Sequence, residues 1–192
     1  MDASASRRVA AVAAHVRAPS LGANERANAL RAYLETGPRA LLDAPTRDDD
    51  DDDARRPWID VSQRRIDDFA ACTMDHQHIH RADAPGGAIA HGFLTLALLT
   101  AATRDATTAD AAWASREINS GIDRCRFIAP VRAGSRIRVR RLAATSVTPL
   151  VGADGAPVGA RVVYRAELER RDDASAPAET CLIASWVVRR YA

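Results

Sequence analysis

Apolar positions along the chain follow two periods, and the change from one to the other divides it. After Ser62, Ile66, Phe69 and Ala70 fall three and four residues apart, which predicts a short helix with Ser62 as its N-cap and Val61 and Ile66 as a hydrophobic staple. Trp58–Val61 reads as a short strand leading into it. From Phe93 to Thr103 nearly every position is apolar or small, so this helix is expected to be buried on all sides, with a sheet wrapped about it. After a connection at 104–116 the period becomes two. Ile118–Phe127 is a candidate strand, and Arg136–Arg140 alternates with Ile137 and Val139 inward and the arginines outward. Val158–Arg170 places Val162, Tyr164, Ala166 and Leu168 on one face, and Cys181–Arg189 is the last strand. Turns are expected at Gly152–Pro157, which carries an Asp-Gly signal, and at Asp172–Glu179. The expected class is α+β, an antiparallel sheet covering a long central helix at about 90–103.

The first 56 residues read differently. Val9–Val16 and Asn24–Leu42 have helical spacing, with Leu30, Tyr33 and Leu34 on one face and Gly37-Pro38 interrupting or ending the second segment. Six consecutive aspartates, Asp48–Asp53, repel one another and read as a solvated linker. The division expected is therefore a helical and flexible extension over 1–56 and one domain over 57–192.

Composition narrows the chemistry. All 27 basic residues are arginine, so no lysine is available for Schiff-base catalysis. A net charge of +2 gives no concentrated basic face for nucleic acid. Cys72, Cys125 and Cys181 are odd in number and widely spaced, without a CxxC pair, which suits a reducing cytoplasm and argues against a disulfide framework or zinc site. The run Val9–Ala14 is too short for a secretory core and Phe93–Ala102 too short to span a bilayer, so a soluble protein is expected.

The chemistry concentrates at Asp75-His76-Gln77-His78-Ile79-His80 and at Gly86–Phe93. A carboxylate and an imidazole that reach one water can divide acid and base work, and Asp75 and His80 are the pair placed for it. By spacing alone they are equally two polar groups of a loop. Gly92 stands where the apolar helix begins. Helix N–H groups there have no internal partner, and glycine admits a ligand close to the backbone, so a thioester oxygen gaining charge would be stabilised. Gly92 alternatively serves chain geometry at the helix entry. His91 reads as a hydrogen-bonded structural histidine. His76, His78 and His80 would share a face on a strand and suggest a metal site with Asp75, but they follow a helix directly and lack a flanking strand pattern, so no metal is expected.

Several ordered blocks carry a resemblance. They are Trp58–Val61 with the Ile66/Phe69 helix, Asp75–His80, Gly87–Leu96, Ile118-Asn119-Ser120-Gly121, and Arg126–Val131 leading to Gly134-Ser135. Together they make residues 57–192 similar to the MaoC-like dehydratase family, the R-specific enoyl-CoA hydratase or hydratase 2 type, in its nodulation protein N-like branch. The resemblance implies a hotdog fold and reversible hydration of a trans-2-enoyl-CoA to the (R)-3-hydroxyacyl-CoA, without a cofactor. It makes Asp75 and His80 the catalytic pair sharing a water and gives the Gly92 N–H to the thioester carbonyl. It also places His91, Phe93 and Thr100 at the substrate. Met74 stands where the family usually has glycine, and the segment from His80 to Gly86 is several residues shorter than usual. A hotdog thioesterase and a non-catalytic acyl-CoA-binding protein are the alternatives. The open sheet edge predicts a homodimer or higher homo-oligomer, with no nucleic-acid or membrane partner. Arg124, Arg126, Arg138 and Arg140 are either contacts for CoA phosphates or a solvated strand face.

Overall fold

The structure, a computed structural model, describes residues 21–36, 40–42 and 56–192. The Val9–Val16 segment, Gly37-Pro38 and the Asp48–Asp53 run lie outside the described residues. The elements are α1 (Ala23–Thr36), β1 (Ala40–Leu42), β2 (Ile59–Asp60), α2 (Gln63–Thr73), a 3-10 turn (His78–His80), α3 (Gly92–Ala97), α4 (Leu99–Asp110), β3 (Arg116–Phe127), β4 (Arg136–Val151), β5 (Pro157–Arg171) and β6 (Glu179–Tyr191). The strands form one antiparallel sheet in the order β1-β4-β5-β6-β3, with β2 also paired to β4. The sheet curls around α3 and α4, which is the hotdog arrangement.

The period-two pattern builds the concave face. Val162, Tyr164, Ala166 and Leu168 of β5, Leu182, Ala184, Trp186 and Val188 of β6, and Ile137, Val139 and Leu142 of β4 are buried in one core. Against them lies the inner stripe of the helices, Leu94, Leu99, Ala102 and Ala106. Fully buried Arg190 ties three elements together. Its Nε donates to Glu117 of β3 at 2.6 Å and its Nη2 to the Thr107 carbonyl of α4 at 3.4 Å. Gly159 allows β5 to approach β6 at this point, since a Cβ there would lie 2.1 Å from the Arg190 carbonyl oxygen.

Several expectations need correction. The central helix runs beyond 103 to Asp110 and is interrupted at Leu98, whose N–H still reaches the Leu94 carbonyl at 3.0 Å. It is not buried on all sides. Phe93 is 70% exposed, and Ala97, Thr100 and Ala101 are also exposed, because the sheet stops at β3 and leaves that face uncovered within one chain. Arg138 does not point into solvent. It is buried, donates to Glu169 at 2.7 Å and lies 4.4 Å over the Trp58 ring. Arg140 reaches the Thr180 hydroxyl, whereas Arg124 and Arg126 are exposed. Within the expected N-terminal extension, Leu30 and Tyr33 of α1 enter the same core and β1 adds to the sheet. No described helix is long and apolar enough to cross a membrane.

Helix α2 begins as the pattern predicts. Ser62 accepts the Arg65 N–H, and Val61 and Ile66 are both fully buried. It ends at Met74, whose φ of 60° and ψ of 20° are left-handed. A side chain there costs roughly 1–2 kcal/mol of backbone strain, while glycine pays mainly in unfolded-state freedom. The Met74 side chain is 83% exposed and contributes little packing. Met74→Gly is therefore expected to raise stability by about 1 kcal/mol in urea unfolding. An unchanged or lowered midpoint would show that the strain is not there.

Candidate active site

Asp75 leaves the end of α2, directly after the left-handed Met74, and its side chain is partly exposed. Five residues on, the 3-10 turn brings His80 inward, where it is 7% exposed. Two contacts set this residue. The Gln63 side-chain amide in the first turn of α2 donates to the His80 carbonyl at 2.8 Å. The His80 ring places Nδ1 2.7 Å from the Ile89 carbonyl. A carbonyl only accepts, so Nδ1 carries the hydrogen, and Nε2 keeps its lone pair when the ring is neutral.

The short loop between His80 and Ile89 completes this bracket. Successive turns run from Ala84 N–H to the Arg81 carbonyl and from Gly87 N–H to the Ala84 carbonyl, both 2.9 Å. Gly86 and Gly87 have φ of 81° and 88°, which the tight return requires. Ile89 N–H then donates back to the Ile79 carbonyl at 3.0 Å. Ala90 N–H meets the Val131 carbonyl and Ala133 N–H the Ala88 carbonyl, so the segment before α3 is laced to the 129–133 connection.

His91 is the N-cap of α3 and is 3% exposed. Its Nε2 lies 2.9 Å from the Asp75 main-chain carbonyl and 4.0 Å from Asp75 Oδ2. Its ring stacks on His80, with centroids 3.6 Å apart and planes 26° apart, and Phe69 packs against it at 5.0 Å. Gly92 is the first residue of α3, where N–H groups lack an intrahelical partner. A Cβ on Gly92 would lie 2.9 Å from the Phe127 ring.

These residues surround a cavity of about 450 Å³ whose walls are mostly apolar. Asp75, His80, His91, Gly92 and Phe93 all line it, together with Gln77, Ile79, Thr95, Phe127, Ile128, Val131 and Cys181. Thr100 does not. It lines a neighbouring cavity of about 470 Å³ with Leu96, Asn119, Ile122 and Trp186. There the Asn119 amide donates to the Thr100 hydroxyl at 3.4 Å, and Trp186 Nε1 donates to Asn119 at 3.1 Å. Burial pushes the Cys181 thiol up to about 12, which keeps it protonated and makes it a poor nucleophile.

Asp75, His80 and His91 each bring a metal-ligating type of atom within 4.8 Å of the others. One nitrogen of each histidine faces a backbone carbonyl, which leaves one ring nitrogen on each for any other partner. His76 and His78 are exposed and do not join them.

Sequence spacing missed Gln63, which holds the main chain of His80, and no periodic signal marks it. Ile89, whose carbonyl orients His80, and Phe127 had a signal, because they sit in the Gly87–Leu96 and Arg126–Val131 blocks.

The profile of the MaoC like domain matches residues 49–146, 98 of the 192 residues. The chain belongs to the MaoC-like domain family. Among curated relatives of this MaoC-like chain, nodulation protein N of Rhizobium meliloti is 48% identical over 97 residues, covering 43% of this chain and 55% of the relative. The 3-hydroxyacyl-thioester dehydratase Z of Mycobacterium tuberculosis is 42% identical over 87 residues, covering 42% and 56%. The chain thus spans little more than half the length of these two relatives. Among solved structures, a monoamine oxidase regulatory protein from Archaeoglobus superposes with a TM-score of 0.55 at 20% identity, covering 71% of this chain and 86% of that one. An R-hydratase from Pseudomonas aeruginosa gives 0.50 at 21%, covering 69% and 76%. At these identities the two structures speak for the shared fold.

The contact between Gly92 and Phe127 yields a test that needs no substrate. Gly92→Ala is expected to destabilise this MaoC-like domain by up to about 1 kcal/mol through overpacking, since the half-exposed Phe127 ring can give way in part. Adding Phe127→Ala should recover part of that loss in a double-mutant cycle followed by urea unfolding. Strict additivity of the two changes would show that the ring does not press on the helix start.

Proposed function

We propose that the chain catalyses reversible, (R)-specific hydration of trans-2-enoyl-CoA to (R)-3-hydroxyacyl-CoA. The observation that carries this reading is the meeting of the Asp75 carboxylate and the His80 imidazole, whose Nδ1 is turned to the Ile89 carbonyl, in one mostly apolar cavity beside the head of α3. The dehydratase name of a relative and the family membership support it.

In the hydration direction, a water held between Asp75 and His80 attacks C3 of the enoyl thioester. Its oxygen forms the C3–O bond as the C2=C3 π pair moves onto C2 and the thioester carbonyl. Nε2 of His80 takes the proton that water loses, and the imidazolium then delivers a proton to C2. The Asp75 carboxylate accepts a hydrogen bond from the second O–H, which stays on the product hydroxyl, and so orients the attacking lone pair. Charge that develops on the thioester oxygen is met by the Gly92 N–H at the first turn of α3. The apolar walls exclude competing water and strengthen these interactions. No lysine, metal or thiolate enters the scheme. The reaction belongs to the cytoplasm, where acyl-CoA is the substrate pool.

The working unit is a homodimer. The edge strand β3 is exposed along nearly its whole length, and Ile118, Ile122, Phe127 and Ile128 lie with Phe93 on the uncovered face. A second copy that extends the sheet across β3 would cover both, and it would bring the cavity lined by Thr100 into the shared interface.

Incubation with crotonyl-CoA and longer enoyl-CoAs should consume the conjugated thioester absorbance. Asp75→Ala and His80→Ala should each lower kcat by about 100-fold or more. Release of free CoA thiol without loss of the double bond would point to a thioesterase instead, and binding without turnover to a carrier.

Sedimentation at micromolar concentration should give a dimer, which Ile122→Asp shifts toward monomer by burying a charge at the contact. A monomeric wild-type protein would overturn this assembly.

A further inference from the structure

We propose that His91 is a positioning residue for the acid–base pair, holding Asp75 by a hydrogen bond and His80 by ring stacking from the N-cap of α3. The proposal rests on the hydratase reading for its catalytic consequence. Its geometry stands independently of it.

Each half of the proposal has its own contact. The Asp75 carbonyl can only accept, so the His91 nitrogen 2.9 Å from it carries the hydrogen, which makes His91 an Nε2–H donor. That bond ties the segment following the strained Met74 to the start of α3, which is the element that also presents the Gly92 N–H. The ring face does the second task. At 3.6 Å from His80 it blocks rotation of that imidazole toward the helix, while the Ile89 carbonyl holds the opposite edge. Phe69 packs against His91 from α2, with ring centroids 5.0 Å apart.

The remaining nitrogen explains why this histidine does not replace His80 in the chemistry. Nδ1 of His91 is buried and has no hydrogen-bond partner among the described residues. A proton placed there would be an unpaired buried donor, so the packing suits the neutral Nε2–H form. Two stacked imidazoles thus carry opposite tautomers, His80 with Nδ1–H and His91 with Nε2–H. His80, with its Nδ1 on the Ile89 carbonyl, keeps Nε2 for the chemistry at the cavity it lines.

Two substitutions separate the tasks. His91→Phe keeps a ring against His80 and Phe69 but removes the donor to Asp75. His91→Gln keeps an N–H near the position of Nε2 but removes the ring. Each is expected to lower kcat on the order of 10- to 100-fold, as misplacement of reacting groups does, with KM within about threefold of wild type. Wild-type kcat in both variants would overturn the proposal. Should neither variant fold, nitrogen-15 NMR of the wild-type histidines decides the matter, since it distinguishes protonated from unprotonated ring nitrogens. Opposite tautomers for His80 and His91 support the proposal, and an Nδ1–H form of His91 overturns it. Absence of enoyl-CoA turnover would refute the hydratase reading alone, because the tautomers are read without substrate.

Discussion

The hydrogen bond from His80 Nδ1 to the Ile89 carbonyl joins the two halves of the site, and much of the local architecture serves to make it. It requires the chain to leave α2, turn once through His78–His80, and return within nine residues to lie beside itself. The return in turn requires two glycines at positive φ and the lacing of residues 88–90 to the 129–133 connection. Because the acceptor is a backbone oxygen, the tautomer of His80 depends on chain path rather than on another titratable group. A side chain in that role could be lost by one substitution, whereas the carbonyl persists as long as the loop does.

The same chain path accounts for the shape of the cavity. Part of its wall comes from α3, the end of β3 and the connection that follows, and these parts carry the exposed Phe93, Phe127 and Ile128. Phe93 and Phe127 meet edge-to-face at 6.2 Å over the mouth. The apolar lining of the cavity and the apolar surface left at the sheet edge are therefore one continuous feature. The buried side of the helices is different in kind, with Thr103 and Thr107 turning their hydroxyls back onto the helix carbonyls so that neither hydroxyl is left unpaired.

Much of this could be read from the sequence. Strand alternation placed Ile137, Val139 and the Val162–Leu168 face inward because a period of two is imposed by the backbone itself. Ser62 with Val61 and Ile66 announced the start of α2 because capping is local. The blocks at Asp75–His80 and Gly87–Leu96 located the candidate site. What could not be read depends on distant partners. Arg138 looked like a solvent-facing residue because its burial needs Trp58 and Glu169, which are 80 and 31 positions away. Thr100 sits one cavity away from Asp75 because the helix turns it toward β3. The stack of His91 on His80 joins residues eleven apart across a loop, where no helix or strand period applies. Burial of the central helix was overread because composition reports that a face is apolar, not whether the same chain covers it.

The placement of β6 bears on how the chain reaches this state. The strand lies between β5 and β3, yet it is the last of the described elements in sequence. Its pairing with β5 closes a hairpin across one turn. Its pairing with β3 joins Arg116 to Tyr191 and Phe127 to Leu182, across most of the intervening chain. Contacts of that separation bear a large loop-closure cost and form slowly. During synthesis β3 thus emerges well before its partner, as an unpaired edge bearing Ile118, Ile122 and Phe127. The strand that forms the exposed edge of the finished sheet is thus left long without cover while the polypeptide is being made.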